Sequence, residues 1–303
     1  NVMSSIEGIV TGVIGEGVAA NYNGSNWAGS LTFMSPTSGY WVKVNEVCSL
    51  CITDATPTDP SIQFELHPGA NLVSFPVDGS VDIGSGLPDD IEGLVSGIIG
   101  EGVAANNQPP WGGSLSALSG GNGYWMITTE SISFSFDVST MSRIKFDDEV
   151  GLTAPDNKEI YQSTQQAFYL VNSATIGGEP LEKEDLIIAY NGDVIVGSRY
   201  WYGDVTDVPA MGVDGSAYFA GYCSSGDKIS FKVLDASSGN LIDMVPDGET
   251  SWHNNSFSVI SLSDRIIPES ISFSAAYPNP FNPVTKLEFS VPNEMDVQVV
   301  IYD

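Results

Sequence analysis

Three aspartates in one short loop carry the first ligating chemistry in this chain. Asp204, Asp207 and Asp214 lie within Gly203-Asp-Val-Thr-Asp-Val-Pro-Ala-Met-Gly-Val-Asp-Gly215. Hard carboxylate oxygens on a flexible loop suit calcium, which takes about 6–8 oxygen ligands. Their spacing is not that of an EF-hand, and ordinary Asx-turn duty is the competing reading. Cys48-Ser-Leu-Cys51 has the spacing of a metal half-site, but no second Cys pair or clustered His pair completes four ligands. A local Cys48–Cys51 disulfide is the better expectation in an oxidising compartment, and a reduced pair in a linker is the alternative. Cys223 ends an expected strand and reads as an inert buried thiol. Six aromatics, Trp27, Tyr40, Trp41, Trp111, Tyr124 and Trp125, have the ring chemistry of a sugar-stacking platform, or of a repeated core.

Catalytic patterns are missing by comparison. The two histidines, His67 and His253, neighbour no Ser or Cys nucleophile in sequence. With this many acids, no single carboxylate pair stands out as a glycosidase dyad. No Gly-rich loop with a following Lys opens a helix, so nucleotide binding has no motif. The chain reads as a non-enzyme with no required cofactor, calcium being the one candidate.

The elements that would position these residues come from a duplication. Residues 6–21, IEGIVTGVIGEGVAAN, recur as IEGLVSGIIGEGVAAN at 91–106, an offset of 85. Trp27-Ala-Gly-Ser-Leu31 then matches Trp111-Gly-Gly-Ser-Leu115, and Ser38-Gly-Tyr-Trp41 matches Asn122-Gly-Tyr-Trp125, at an offset of 84. These are two copies of one module. Copy two opens with alternating Ile62, Phe64 and Leu66, a Pro68-Gly69 turn pair and a returning strand from Leu72 to Val77, which together predict a hairpin. Copy one has no counterpart, because Asn1 falls after the place where it would lie. The hairpin turns about four large apolar side chains inward at ~1.5–3 kcal/mol each. Losing about 6–12 kcal/mol would exhaust most of a domain's usual 5–15 kcal/mol. Copy one is therefore expected to be completed from outside, by chain upstream or by strands from a neighbouring molecule. Glu16 and Glu101 occupy identical Gly-Glu-Gly turns, which do not suggest a catalytic pair.

Composition agrees with turn-rich β structure. Glycine (32) and proline (17) are frequent, and Lys plus Arg number 10 against 38 Asp plus Glu, a formal charge of −28. That field repels phosphate backbones and anionic lipid surfaces, which argues against nucleic acid or membrane as partner. No apolar run reaches the roughly 18–20 residues that span a bilayer. From residue 156 onward about seven short strands recur at regular spacing: Ile160–Val171, Leu186–Tyr190, Val194–Tyr200, Ala217–Tyr222, Lys228–Leu234, Leu241–Met244 and Phe257–Leu262. Turns such as Asn191-Gly192-Asp193 separate them, the pattern of a β-sandwich.

The tail is the most specific stretch. Tyr277-Pro-Asn-Pro-Phe-Asn-Pro283 precedes alternating Leu287, Phe289 and Val291, then Pro292-Asn293, then alternating Val297, Val299 and Ile301. This resembles the start of the C-terminal sorting domain of type IX secretion cargo of Bacteroidetes and related bacteria, an immunoglobulin-like sandwich. The resemblance covers Ser272 to Asp303 and stops after two strands, where the family pattern continues. It implies export to the cell surface, and the Gly-Tyr-Trp repeats look like non-catalytic modules of large surface proteins of such bacteria.

The resulting expectation is a mostly β chain: tandem small β modules, then an immunoglobulin-like β-sandwich and a partial second sandwich. The boundaries are module one at 1–47, a linker at 48–61 and module two at 62–136. A boundary segment at 137–155, a sandwich at 156–264 and a partial sorting-like domain at 265–303 follow. The expected function is a structural or adhesive protein, extracellular or on the cell surface, with copies of itself or other surface proteins as partners and strand exchange between chains. The alternative is a carbohydrate- or ligand-binding accessory region of a larger secreted hydrolase, with glycans as partners.

Overall fold

The computed structural model describes residues 2–108, 110–142, 159–264, 271–277, 279–280, 283–287, 289–291, 298 and 300. It is mostly β, as the strand-forming and turn-forming composition requires. No helix among the described residues is long and apolar enough to cross a membrane.

Copy one forms a four-stranded antiparallel sheet from β1 (Val10–Gly15), β2 (Val18–Tyr22), β3 (Trp27–Gly29) and β4 (Trp41–Val44), ordered β3-β2-β1-β4. Copy two adds strands before and after the same frame. They are β5 (Phe64–Leu66), β6 (Gly69–Ser74), β7 (Ser80–Asp82), β8 (Val95–Ile99), β9 (Ala104–Asn106), β10 (Gly112–Gly113), β11 (Ala117–Ser119), β12 (Gly123–Thr128) and β13 (Ile132–Phe134). Its main sheet runs β10-β9-β8-β12-β6, so β6 is the one strand of that sheet without a copy-one counterpart.

The repeat is exact enough to conserve single hydrogen bonds. Leu31 N–H donates to the Ala19 carbonyl as Leu115 N–H donates to Ala104, and Asn45 N–H donates to Ile9 as Thr129 N–H donates to Leu94. Gly29 and Gly113, at φ 150° and 128°, lie so close to those same carbonyls that a Cβ at either would overlap them. Only glycine fits there.

The expected hairpin of residues 62–77 does not form. β5 pairs with β13 (Phe64↔Phe134, Leu66↔Ile132), while β6 pairs with β12, so the Pro68-Gly69 turn is a corner between two sheets. Apolar alternation fixes which face a strand buries but not its partner. Module two also outlasts its expected end. Asp137 N–H donates to Gly86, and Ser142 exchanges two backbone hydrogen bonds with Ser80.

The third region holds β14 (Gln166–Ile176), β15 (Glu179–Pro180), β16 (Leu186–Asn191), β17 (Val194–Tyr200), β18 (Thr206–Met211), β19 (Ile229–Leu234), β20 (Leu241–Gly248) and β21 (Phe257–Ser263). They follow the order β15-β14-β21-β20-β19-β16-β17, with β18 added to β14, in a sandwich-like arrangement around one core that contains Tyr169, Phe231 and Trp252. β14 and β21 run parallel. β17 returns onto β18, where a Cβ at Gly197 would overlap the Pro209 carbonyl. Two expectations are corrected here. Ala217–Tyr222 is not a strand, since Ala217–Phe219 form a 3-10 turn capped by Ser216, and the aspartate-bearing loop contains β18, buried along its whole length. In the tail, β22 (Ser272–Phe273) pairs with β23 (Phe289–Ser290), while Pro278, Phe281, Asn282, Val297, Val299 and Ile301 lie outside the described residues.

Candidate functional site

The identical Gly-Glu-Gly turns both lie where a module meets the part of the chain that follows, though different groups make the contact: the Glu16 side chain in copy one and the Gly100 and Gly102 backbone in copy two. In copy one, Glu16 crosses to module two. Its Oε2 accepts from the Leu72 backbone N–H at 2.9 Å, and its Oε1 lies 2.6 Å from His67 Nε2. The Pro68 carbonyl, then Glu16, hold the His67 imidazole above its ordinary value. Beside this contact, Gly39 N–H donates to the Leu72 carbonyl and Ser74 N–H to the Thr37 carbonyl. The second edge of β6 is thereby closed by copy one. Completion of copy one from outside this chain, as expected, is in part incorrect: module two covers the entry to β4 at residues 37–39.

In copy two the equivalent turn meets the sandwich. Gln166 donates its Nε2 to the Gly100 carbonyl at 2.7 Å and accepts from Gly102 N–H through Oε1. Arg199 Nη2 donates to the Gly102 carbonyl at 2.7 Å and its Nε to the Asp207 carbonyl at 2.9 Å. An apolar seam of Ile99, Ala104, Trp125, Ile127, Phe168 and Phe257 lies alongside.

The three aspartates are not brought together. The Asp207 side chain is fully buried on β18 and accepts from Ser114 N–H, Ser114 Oγ and Tyr202 Oη at 3.1, 2.7 and 2.6 Å, with Arg199 Nη2 at 3.4 Å. Burial raises its carboxyl above the usual carboxylate range, while Arg199 and these donors pull it down. Asp214 instead receives Lys43 Nζ of copy one at 2.7 Å and Ser216 N–H. Two of the three carboxylates thus serve as intramolecular anchors. Among the described residues, no group of three or more His, Cys, Asp or Glu is placed to hold a metal ion. Val205, two residues before Asp207, holds φ at 65°, an uncommon conformation for a β-branched residue, with its side chain against Gly112 of copy two.

The six aromatics do not form one platform either. The hydroxyls of Tyr40 and Tyr124 each accept a backbone N–H, from Ser35 and Ser119, both at 2.8 Å, so this residue is a structural brace in each copy. Trp111 donates Nε1 to Glu92 at 2.6 Å while packing on the module-two core. Trp125 lies in the seam with Phe168, and the indole nitrogens of Trp41 and Trp125 are both buried without an acceptor. Trp27 is half-buried beside Tyr22, ring centroids 5.1 Å apart.

The cysteines are free thiols, so the expected Cys48–Cys51 disulfide is absent. Cys48 turns onto the copy-one core and Cys51 faces solvent, where its N–H donates to Ser5 Oγ. Residues 48–51 therefore still belong to module one rather than to a linker. Burial, then the nearby Asp227 charge, push the Cys223 thiol up to about 12. Alkylation of the folded chain at pH 8 is expected to label Cys51 first and Cys223 only on unfolding. Mass spectrometry of the alkylated peptides checks this, and equal labelling rates would contradict it.

Copy one also presents an open apolar cleft of about 520 Å³, lined by Val13, Trp27, Leu31, Phe33 and Met34 among others. Its buried core cluster holds Met3, Ile6, Val10 and Val13, against the extensive core cluster of module two. Phe33 is 78% exposed, Leu50 40% and Ile52 55%.

Together these features define a chain of β modules whose polar and charged groups serve to dock module on module, with one module face left open. Comparison with family models, with curated proteins and with solved structures finds no match for this chain.

Proposed function

We propose that this chain is a secreted, non-catalytic structural or adhesive protein of the cell surface or an extracellular assembly. The observation that supports this best is that the Gly-Glu-Gly turn lies at a docking contact in both copies. The same turn lies at the joint of copy one with copy two, through the Glu16 side chain, and at the joint of copy two with the sandwich, through the Gly100 and Gly102 backbone, a repeated placement that suits a stack of modules. The side chains that suggested ligand chemistry in the sequence (Asp207, Asp214, Tyr40, Tyr124, Trp111) are engaged within this stack. The tail's similarity to type IX sorting domains supports export, and copies of itself or other surface proteins are the proposed partners. The buried or braced rings weigh against a glycan-stacking face.

Surface fractionation with chemical cross-linking of the native protein tests this. The expected result is recovery from the cell surface or an extracellular assembly, cross-linked to itself or to other surface proteins. A monomeric intracellular protein would remove the reading.

A further inference from the structure

His67 enters the joint between copy one and module two with both of its ring nitrogens engaged. Nδ1 lies 2.9 Å from the Pro68 carbonyl oxygen and Nε2 lies 2.6 Å from Glu16 Oε1. A carbonyl and a carboxylate only accept, so each ring nitrogen must bring a hydrogen. The neutral imidazole carries one and turns a lone pair on one of the two oxygens, whereas the imidazolium carries both. The same carboxylate takes the Leu72 N–H through Oε2 at 2.9 Å. Leu72 faces copy one with both backbone groups, since its carbonyl accepts from Gly39 N–H at 2.9 Å. The charge of one imidazole is thereby tied to the outer edge of β6. Among the described residues, the Pro68 carbonyl and then Glu16 are the groups that raise the proton affinity of the ring. Of the other titratable groups on the elements around it, Tyr40 and Tyr124 brace Ser35 and Ser119, and Glu65 of β5 takes Ser133 Oγ at 2.6 Å. Neither these nor Glu130, after β12, acts on the imidazole.

We propose that this joint is a proton-controlled clasp, closed while His67 is an imidazolium and loosened when the ring becomes neutral. On losing a proton the ring keeps a single N–H, which stays on the Pro68 side, where donor and acceptor belong to one loop. The Nε2 lone pair then faces Glu16 Oε1 and drives the carboxylate off, which removes the acceptor from Leu72 N–H. Docking sets the direction of the response. The Pro68 contact is internal to module two and persists when the modules part, whereas the Glu16 contact exists only in the joint. Docking therefore raises the proton affinity of His67 above its undocked value. The clasp's contribution is complete below that undocked value and is lost as pH rises through the docked one, above the ordinary imidazole value of 6.5. Mild acid tightens the stack and alkali loosens it. The clasp does not depend on where the protein works, so it goes beyond the surface-protein reading.

The test follows both imidazoles of the 303-residue chain by NMR, since His67 and His253 are its two histidines. His67→Gln assigns the signals, and His253, whose Nδ1 lies 2.9 Å from Ser225 Oγ in the sandwich, is the internal reference. Glu16→Gln keeps an acceptor for Leu72 N–H and removes the charge. The expected result is a His67 midpoint that falls in Glu16→Gln while that of His253 stays. Hydrogen exchange then reads the joint itself. Corrected for intrinsic rates, the Leu72 and Gly39 amides are expected to be about two- to five-fold better protected at about pH 6 than at about pH 8.5, the range of an exposed ion pair. The Leu115 amide, bonded to the Ala104 carbonyl inside module two, is the control and should not change. The His67 and Glu16 side chains are 59% and 38% exposed, so both variants keep the fold, and each should abolish the pH dependence. A His67 midpoint indifferent to Glu16 overturns the proposal. So does equal Leu72 and Gly39 protection at the two pH values, the result if the neutral ring kept its hydrogen on Nε2 and released Pro68. Failure here leaves the surface-protein reading standing, because that reading is decided by where the native protein is found.

Discussion

Replacing Asp207 with alanine is expected to destabilise the folded chain by about 3–5 kcal/mol, the usual cost of removing one partner of a buried ion pair. The carboxylate accepts from Ser114 N–H, Ser114 Oγ and Tyr202 Oη, and its removal strands all three beside the Arg199 guanidinium. Arg199 is itself only 3% exposed, so the variant buries a cation without its counter-charge. Ser114 belongs to copy two, and Arg199 also holds the Gly102 carbonyl of that copy. The loss therefore falls on the joint as well as on the sandwich. Calorimetry is expected to show the single transition of the joined modules split into two, with the lower one moved down by roughly 10 °C or more. Arg199→Met combined with Asp207→Leu removes both charges and is expected to recover part of the loss, since a buried pair exchanged for apolar groups is often near neutral. A change under about 1 kcal/mol for Asp207→Ala, the range of surface pairs, would show that the network does not couple the modules.

That network lies in the stretch that the sequence presented as a calcium loop, and the reason is physical. Thr206-Asp-Val-Pro-Ala-Met211 breaks the apolar alternation of a strand with an acid and a proline, so carboxylate spacing dominates the reading. The signal that would have located it lies in β17. Val194-Ile-Val-Gly-Ser-Arg-Tyr200 carries an arginine in an otherwise apolar strand, and a cation in such a place requires a buried anion. The duplication was fully legible because it needs only self-comparison, and it placed every strand of copy one in register with copy two. Partners were not legible. Phe64 and Leu66 announced a strand, but whether it would pair with its neighbour β6 or with the distant β13 depends on contacts about 70 residues away along the chain. The docking role of Glu16 was hidden for a related reason. A lone acid in a Gly-Glu-Gly turn reads as a solvated loop tip until the Leu72 N–H it satisfies is placed beside it.

Phe64→Ala is the second large effect expected, and it separates a covered module from an open one. Phe64 is 1% exposed, its ring centroid 5.6 Å from Phe134 and 5.0 Å from Phe136, and Phe75 lies 5.2 Å from Phe136. Truncating it opens a cavity among four interlocked rings, at a cost of about 3–5 kcal/mol. The comparison in copy one is Leu50→Ala, at the position equivalent to Phe134, which Phe64 covers in module two. With 40% of Leu50 exposed and no covering strand over it, the change is expected to stay within about 0.5 kcal/mol. Urea denaturation of both variants measures the contrast, and similar costs would mean that the copy-one face is already closed. Phe64 lies on the strand that covers Phe134, and Leu50 is the copy-one equivalent of Phe134, so the contrast reflects burial together with the smaller side chain at Leu50.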